Sequence, residues 1–279
     1  MSHYTVGVIL KKDEVQKTID ELRKVKTIEV KETYKETEFK AIQFLTEKAL
    51  LPYWENARTL DENTTKEEIE EEYNTILNYT EEEIENDENK KKMHEMYKDE
   101  TLEFFAKNHC GYEIEGDKLY MDYNPSGKWD WYVIGGRWNN SLPKKNNDNK
   151  KDNLIDGYVD DINSYAQIKD LVFRRIISSK QEQEYRENYN ELISKGDFFK
   201  PEYYLRKYPN FEIFLKHKLT FSTYAVLDSN NKWHEPGQMG WFGCGSASPE
   251  EERSFSENYS ELIAKEDEEN YFVLVDCHI

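Results

Sequence analysis

Residues 61–103 hold seventeen Asp and Glu against five Lys, so this stretch carries −12 of the net charge of −19 on the 279-residue chain. Its apolar residues recur at helical spacing, and Thr65 and Thr80 occupy positions where helix N-caps are expected. The pattern predicts a protruding helical hairpin or arm over residues 61–107. Two interpretations stay open: ordinary solvated helix faces, or a partner-binding arm. The candidate contacts are the residues of two glutamate runs, namely Glu70, Glu71, Glu72, Glu81, Glu82 and Glu83.

Composition bears on what the rest of the chain can do. Charged residues make up 34% of it, which favours disorder, but aromatic residues make up 14% and supply large buried areas. We therefore expect folded bodies with an acidic excursion. The negative charge disfavours direct contact with nucleic acid or an anionic membrane. The expected partner is a basic protein surface, and homo-oligomer formation is left open.

Cysteine usage and the N-terminal segment bear on the compartment. Cys110, Cys244 and Cys277 are few, odd in number and widely spaced, unlike a disulfide framework. The first residues contain an apolar run that is too short for a signal peptide or a membrane span. These features predict a soluble, cytoplasmic protein.

The expected fold class is α+β, with two small antiparallel sheets, covering helices and the acidic arm. Strands are predicted at 3–10, 26–33, 39–45, 220–227 and 271–277, because these runs are rich in β-branched or aromatic residues. Helices are predicted at 13–25, 181–194, 201–216 and after Ser248, where Pro249 and Glu251 complete a helix start.

The predicted domain organisation follows from a polar stretch in the middle of the chain. Residues 144–153 contain almost no apolar side chain, which predicts a flexible loop and a boundary. Residues 1–60 and 108–143 would form the first domain, with 61–107 as its arm. Residues 154–279 would form a C-terminal α+β domain.

Residues 124–138, NPSGKWDWYVIGGRW, are the densest motif. On a strand, Trp129, Trp131 and Val133 would share one face, while Asp130 and Tyr132 would lie on the other. The following glycine pair, 135–136, would allow positive φ or close backbone approach. That would leave the arginine at 137 free for a carboxylate or phosphate. In the alternative interpretation the tryptophans are core, and this arginine pairs internally with Asp130 or Asp122.

A second cluster comprises residues 225–245 and the terminal VDCHI. His234, Cys244, Cys277 and His278 are zinc-ligand types, but only the last two are close in sequence, and neighbours on a strand point apart. We therefore predict no metal and no cofactor. No GxGxxG or GxxxxGK[ST] phosphate loop is present. Asp276 lies on an apolar strand, where burial would demand a partner such as Arg137.

An enzyme or small-ligand binder is the alternative function. Its pocket would form where WDWYVIGGRW meets the C-terminal WHEPGQMGWFG and VDCHI segments. No catalytic residue is assigned. The candidate pocket residues are Trp129, Asp130, Tyr132, Arg137, Trp138, His234, Trp241, Asp276 and His278.

NPSGKWDWYVIGGRW, FSTYAVLDSNNKWHEPGQMGWFG and VDCHI together resemble an uncharacterised family of phages, prophages and mobile bacterial regions. The resemblance covers the middle and the C-terminal third of the chain, and it implies no catalytic residue. It implies a phage-type accessory protein. Such proteins are similar to anti-defence factors that block host immune complexes such as Gabija or CRISPR effectors. The expected function is therefore stoichiometric inhibition of a nucleic-acid-handling complex through the acidic surface.

Overall fold

A computed structural model describes residues 2–25, 33–121, 123–145, 159–240 and 244–279. Within these ranges the strands are β1 (His3–Leu10), β2 (Thr59–Asp61), β3 (Tyr112–Glu115), β4 (Lys118–Met121), β5 (Trp131–Ile134), β6 (Tyr165–Gln167), β7 (Ala225–Leu227), β8 (Trp233–His234) and β9 (Tyr271–His278). The α-helices are α1 (Lys12–Val25), α2 (Tyr34–Leu50), α3 (Lys66–Leu77), α4 (Glu81–Asn86), α5 (Glu88–Tyr97), α6 (Leu102–Phe105), α7 (Ser179–Lys195), α8 (Pro201–Lys207), α9 (Phe211–Leu219) and α10 (Pro249–Ala264).

The chain divides into two compact units. The larger unit comprises residues 1–51 and 128–279, and the acidic unit comprises residues 52–127. This division differs from the predicted one. Strand β9, which was assigned to a separate C-terminal domain, pairs with both β1 and β5, so residues 154–279 do not form a domain of their own. Of the predicted flexible loop, residues 146–153 lie outside the described residues.

In the described part of the larger unit, the sheet has six strands. Its order is β5-β9-β1-β7-β8, and β6 also pairs with β9. Strands β1 and β9 run antiparallel over their full lengths, from His3 opposite His278 to Leu10 opposite Tyr271. Both are apolar and mostly buried, as expected of central strands. Strands β1 and β7 run parallel, so this sheet is mixed rather than antiparallel.

Helices cover the larger sheet. Tyr259 and Ile263 of α10 pack in one cluster with Ile9, Phe272 and Leu274. Helix α2 also contacts β1. The predicted strand over 39–45 is wrong, because these residues lie inside α2. A capping box between Thr33 and Glu36 starts that helix. The predicted strand over 26–33 falls almost entirely outside the described residues.

The acidic unit has a sheet and a core of its own. Its strands follow the order β2-β4-β3, and helices α3 to α6 accompany them. The core contains Ile69, Ile76, Tyr97, Phe105 and Leu119. The stretch predicted as a helical arm is therefore helical, but it folds together with residues 104–127 around this core. The α+β class with two sheets is confirmed.

Candidate functional site

The acidic unit concentrates charge on a folded body. Residues 52–127 contain twenty-two Asp and Glu against eight Lys and Arg, a net charge of −14. Ile69 and Ile76 turn inward from α3, whereas the glutamates at 71 and 72 are exposed. The predicted caps are confirmed, since Thr65 and Thr80 each form a capping box with the glutamate three residues on. These caps hold the acidic helices in a fixed geometry.

Three of the six candidate glutamates have partners within the acidic unit. The carboxylate of Glu70 lies 3.8 Å from Lys66, and Glu72 lies 3.3 Å from Nε2 of His109. Glu83 accepts hydrogen bonds from Lys90 at 2.7 Å and from the backbone of Thr80, which together lower the pKa of Glu83 to about 2. These three carboxylates support local structure.

The other three candidate glutamates, Glu71, Glu81 and Glu82, are exposed. Within the described ranges their carboxylates make no ion pair or hydrogen bond. Each side chain is therefore open to contact with another molecule.

Trp129 of the aromatic motif is a core residue. It is 6% exposed, and its Nε1–H donates to the carbonyl of Leu50 at 3.1 Å. The ring of Tyr132 stands perpendicular to it at 5.1 Å. Strand β5 begins only at Trp131, so the predicted alternation holds for Trp131, Tyr132 and Val133 but does not extend back to Trp129.

Asp276 is the buried acid on β9. It is fully buried, and one carboxyl oxygen lies 2.9 Å from Nδ1 of His3. The other accepts the backbone N–H of Arg137 at 2.9 Å. The predicted pairing with the Arg137 guanidinium is wrong, because this side chain is exposed and its main chain makes the contact instead.

A second carboxyl–imidazole pair lies beside the first. Nδ1 of His278 is 2.6 Å from Oδ1 of Asp130, and the imidazole stacks on Trp131 with centroids 5.0 Å apart. The ring of His3 meets that of His278 edge-on at 5.1 Å. The Nε2 atom of His278 is buried and has no hydrogen-bond partner in the described ranges. The two pairs form one cluster, in which Asp276 and His278 are buried, Asp130 is partly exposed, and the buried Nε2 atom of His278 is unsatisfied.

The glycine pair is required by this cluster. Gly135 and Gly136 have φ values of +80° and +52°. A Cβ on Gly136 would lie 2.5 Å from Asp276, and one on Gly135 would lie 2.4 Å from Oγ of Ser164. Both predicted reasons for glycine, positive φ and close approach, are confirmed here.

The other predicted pocket residues do not join the cluster. Tyr132 pairs with Cys277 on β9, away from the cluster face, and Trp138 packs against the core beneath α10. His234 lies on β8 at the far edge of the sheet, 2.8 Å from Asp228. Three strand spacings, about 14 Å, separate β8 from β9. Trp241 lies outside the described residues.

The aromatic motif, residues 124–138, and the second cluster, residues 225–245, meet at an open cleft of about 380 Å³. Lys128 and Glu235 form an ion pair of 2.7 Å there, and Nε1–H of Trp233 donates to the same carboxylate at 2.8 Å. Phe255 and Tyr259 of α10 line the other side. The polar groups of this cleft thus bond to one another, which leaves little for a ligand.

Within the described ranges no group of three or more His, Cys, Asp or Glu residues could hold a metal ion. Cys277 is buried, which raises its pKa well above the ordinary value, and it points away from His278.

The sequence reasoning missed His3. No local signal pointed to it, because Asp276 and His278 reach it only through the register of β1 and β9. In the described part of the chain no helix has the length and apolarity to cross a membrane.

No protein-family model, curated protein or solved structure matches the chain. The resemblance to a phage family therefore stays an expectation. A proposal for the function therefore rests on the charge and the geometry of the described residues.

Proposed function

We propose that the chain acts by stoichiometric protein binding, with the acidic unit as its contact surface and a basic protein surface as its target. The observation that carries this proposal is the net charge of −14 on 76 contiguous residues that fold around their own core. Gathering this charge on one folded body costs self-repulsion, and solubility alone does not require it.

Rigidity supports a binding role. The caps fix the backbone of the acidic helices, so little backbone order remains to be imposed on association. Long-range attraction to a basic groove would raise the association rate. Apolar anchors are present as well: Met96 is 57% exposed and Phe104 is 43% exposed. Buried anchors of this kind carry most of the binding energy in protein interfaces.

The target class comes from the resemblance. A phage-type accessory protein would meet host immune complexes that handle nucleic acid, and their channels are basic. A surface of fixed carboxylates presents to such a channel the charge that nucleic acid presents. The proposed activity is therefore blocking of a host nucleic-acid-handling complex, without turnover.

The alternative, a ligand-binding or catalytic pocket, has less support. Of the nine candidate pocket residues, Asp130, Asp276 and His278 place their side chains in one cluster, and the last two are buried. The open cleft at Lys128 has its polar groups satisfied internally. A catalytic group must reach its substrate, so neither arrangement offers a site as it stands.

A charge-reversal variant tests the proposal. We choose Glu71→Lys, Glu81→Lys and Glu82→Lys, because these side chains lie outside the capping boxes and ion pairs. The matched control reverses three exposed glutamates of the larger unit, Glu21, Glu202 and Glu261. Both variants change the net charge by the same amount, and exposed charges contribute little to stability.

The measurement is capture of host complexes from defence-carrying cells, followed by titration of the captured complex's activity on nucleic acid. The wild type and the control should inhibit with a one-to-one end point. The acidic-unit variant should associate at least about tenfold more slowly and with a flatter salt dependence. Equal inhibition by all three proteins, or inhibition by substoichiometric protein, would contradict the proposal.

A further inference from the structure

The larger unit carries a local basic surface. Residues 172–181 contain Arg174, Arg175 and Lys180 and no Asp or Glu. Main-chain contacts join this segment to the end of α9: the N–H of Arg175 donates to the carbonyl of Leu219 at 2.9 Å, and Arg174 forms an antiparallel bridge with Thr220.

The end of α9 adds to this charge. Residues 213–221 contain Lys216 and Lys218 and again no carboxylate. Arg174 and Arg175 line one cleft, whereas Lys216 lines a different cavity, where its Nζ donates to the carbonyl of Glu257. Together the two segments contain five cationic residues and no Asp or Glu, on a chain whose net charge is −19. Such a concentration runs against the composition of the protein as a whole.

The two arginines are available for contact. Arg174 and Arg175 are exposed, and in the described residues neither guanidinium forms an ion pair or a hydrogen bond. By contrast, the guanidinium groups of Arg58, Arg186 and Arg206 each form an ion pair with a glutamate. The planar guanidinium group can bind a carboxylate with two parallel hydrogen bonds.

An apolar cleft lies beside these arginines. It has a volume of about 350 Å³, and Ile177, Tyr185 and Leu219 line it together with both arginines. At its rim the side chain of Ile176 is 98% exposed. The segment is held at both ends, by the bridge at Arg174 and by the capping box that starts α7. Ile176 extends the apolar lining of the cleft to its rim, and a contiguous apolar patch rimmed by charged residues is typical of an interaction site.

We propose that this basic cleft binds an acidic peptide segment of a partner protein, in which Asp or Glu residues flank an apolar pair that includes one large side chain. The carboxylates would pair with Arg174 and Arg175, and the apolar side chain would enter the cleft against Ile176. Charge complementarity selects this occupant, because a short acidic segment needs to contact only the two unpaired guanidinium groups, whereas an extended polyanion such as nucleic acid, or an anionic membrane, would also meet the carboxylates of the surrounding chain, whose net charge is −19 overall. The surface lies in the larger unit, and its charge is opposite to that of the acidic unit. The inference therefore does not depend on the proposed function.

Fluorescence anisotropy with the full chain tests this inference. The probe is a labelled synthetic peptide, DELFDE. One comparison peptide has amides in place of the carboxylates, and the other has alanine in place of the two apolar residues. The acidic peptide should bind with a Kd below about 1 mM at low salt, and each comparison peptide should bind about tenfold more weakly. No binding of DELFDE, or equal binding of the three, would overturn the proposal.

Substitutions in the protein locate the site. Arg174→Glu with Arg175→Glu should weaken peptide binding at least about tenfold, and Ile176→Ser should weaken it about threefold. The matched control is Lys17→Glu with Lys48→Glu, which makes the same charge change at exposed positions of the larger unit and should leave binding within about twofold. All five side chains are exposed, so circular dichroism should show unchanged folding. Control and cleft variants of equal affinity, or tighter binding of an oligothymidylate than of the peptide, would contradict the assignment.

Discussion

Replacement of Gly136 by alanine should destabilise the larger unit far more than a positive φ alone explains. The backbone strain of alanine at φ +52° costs about 1 kcal/mol. The added Cβ would also lie 2.5 Å from both Cβ and Oδ2 of Asp276, whose carboxyl group is fully buried. Displacement of that group breaks its hydrogen bonds to Arg137 or His3, at about 1–3 kcal/mol each. With one of these bonds lost, the expected total is about 2–4 kcal/mol.

Gly116 supplies the matched control. It has a φ of +63°, and nothing in the described part of the chain lies within 4 Å of an added Cβ. Its replacement by alanine should therefore cost only the strain, about 1 kcal/mol. Urea denaturation followed by circular dichroism gives the free energy of unfolding of the unit that contains each glycine. If the two substitutions cost the same within about 0.5 kcal/mol, the clash with Asp276 has been misjudged and the buried cluster does not require Gly136.

Two further predictions concern single side chains of the larger unit. Trp129→Ala should lower the free energy of unfolding by about 3–5 kcal/mol and Trp129→Phe by about 1–2, because phenylalanine loses the bond to Leu50 but keeps most of the bulk; a stable alanine variant in thermal denaturation would refute the core assignment. Burial lowers the pKa of His217 to about 4, so the unfolded chain binds a proton there below about pH 6.5 while the folded chain does not. Stability should therefore fall as the pH drops from about 6.5 to 4, and His217→Gln should remove up to about 2–3 kcal/mol of that loss; an unchanged pH profile of urea midpoints would contradict this.

Local signals in the sequence predicted local structure well. Thr65, Thr80 and Ser248 cap helices because a hydroxyl three residues before a glutamate or glutamine is a complete start signal in itself. β-branched and aromatic content identified β1 and β9 for the same reason, and the glycine pair predicted an unusual backbone. Each of these features depends on residues within a few positions of one another.

Features that depend on distant residues were missed. The apolar composition of β9 does not show that its partners are β1 and β5, so the predicted domain boundary differs from the observed one. His3 and His278 form one cluster only because the register of β1 and β9 sets them opposite each other. Residues 39–45 have β-forming composition, but the capping box at Thr33 and packing against β1 favour the helix.

The pairing of β1 with β9 has a consequence for how the chain matures. His3 contacts Asp276, which lies 273 positions further along the chain. Strand β1 therefore cannot pair with β9 until nearly all of the larger unit has been synthesised, about 15–55 s later at ordinary translation rates. The acidic unit finds all its strand partners between residues 59 and 121. It can therefore close its own core first, while an apolar edge at β1 still needs protection from aggregation.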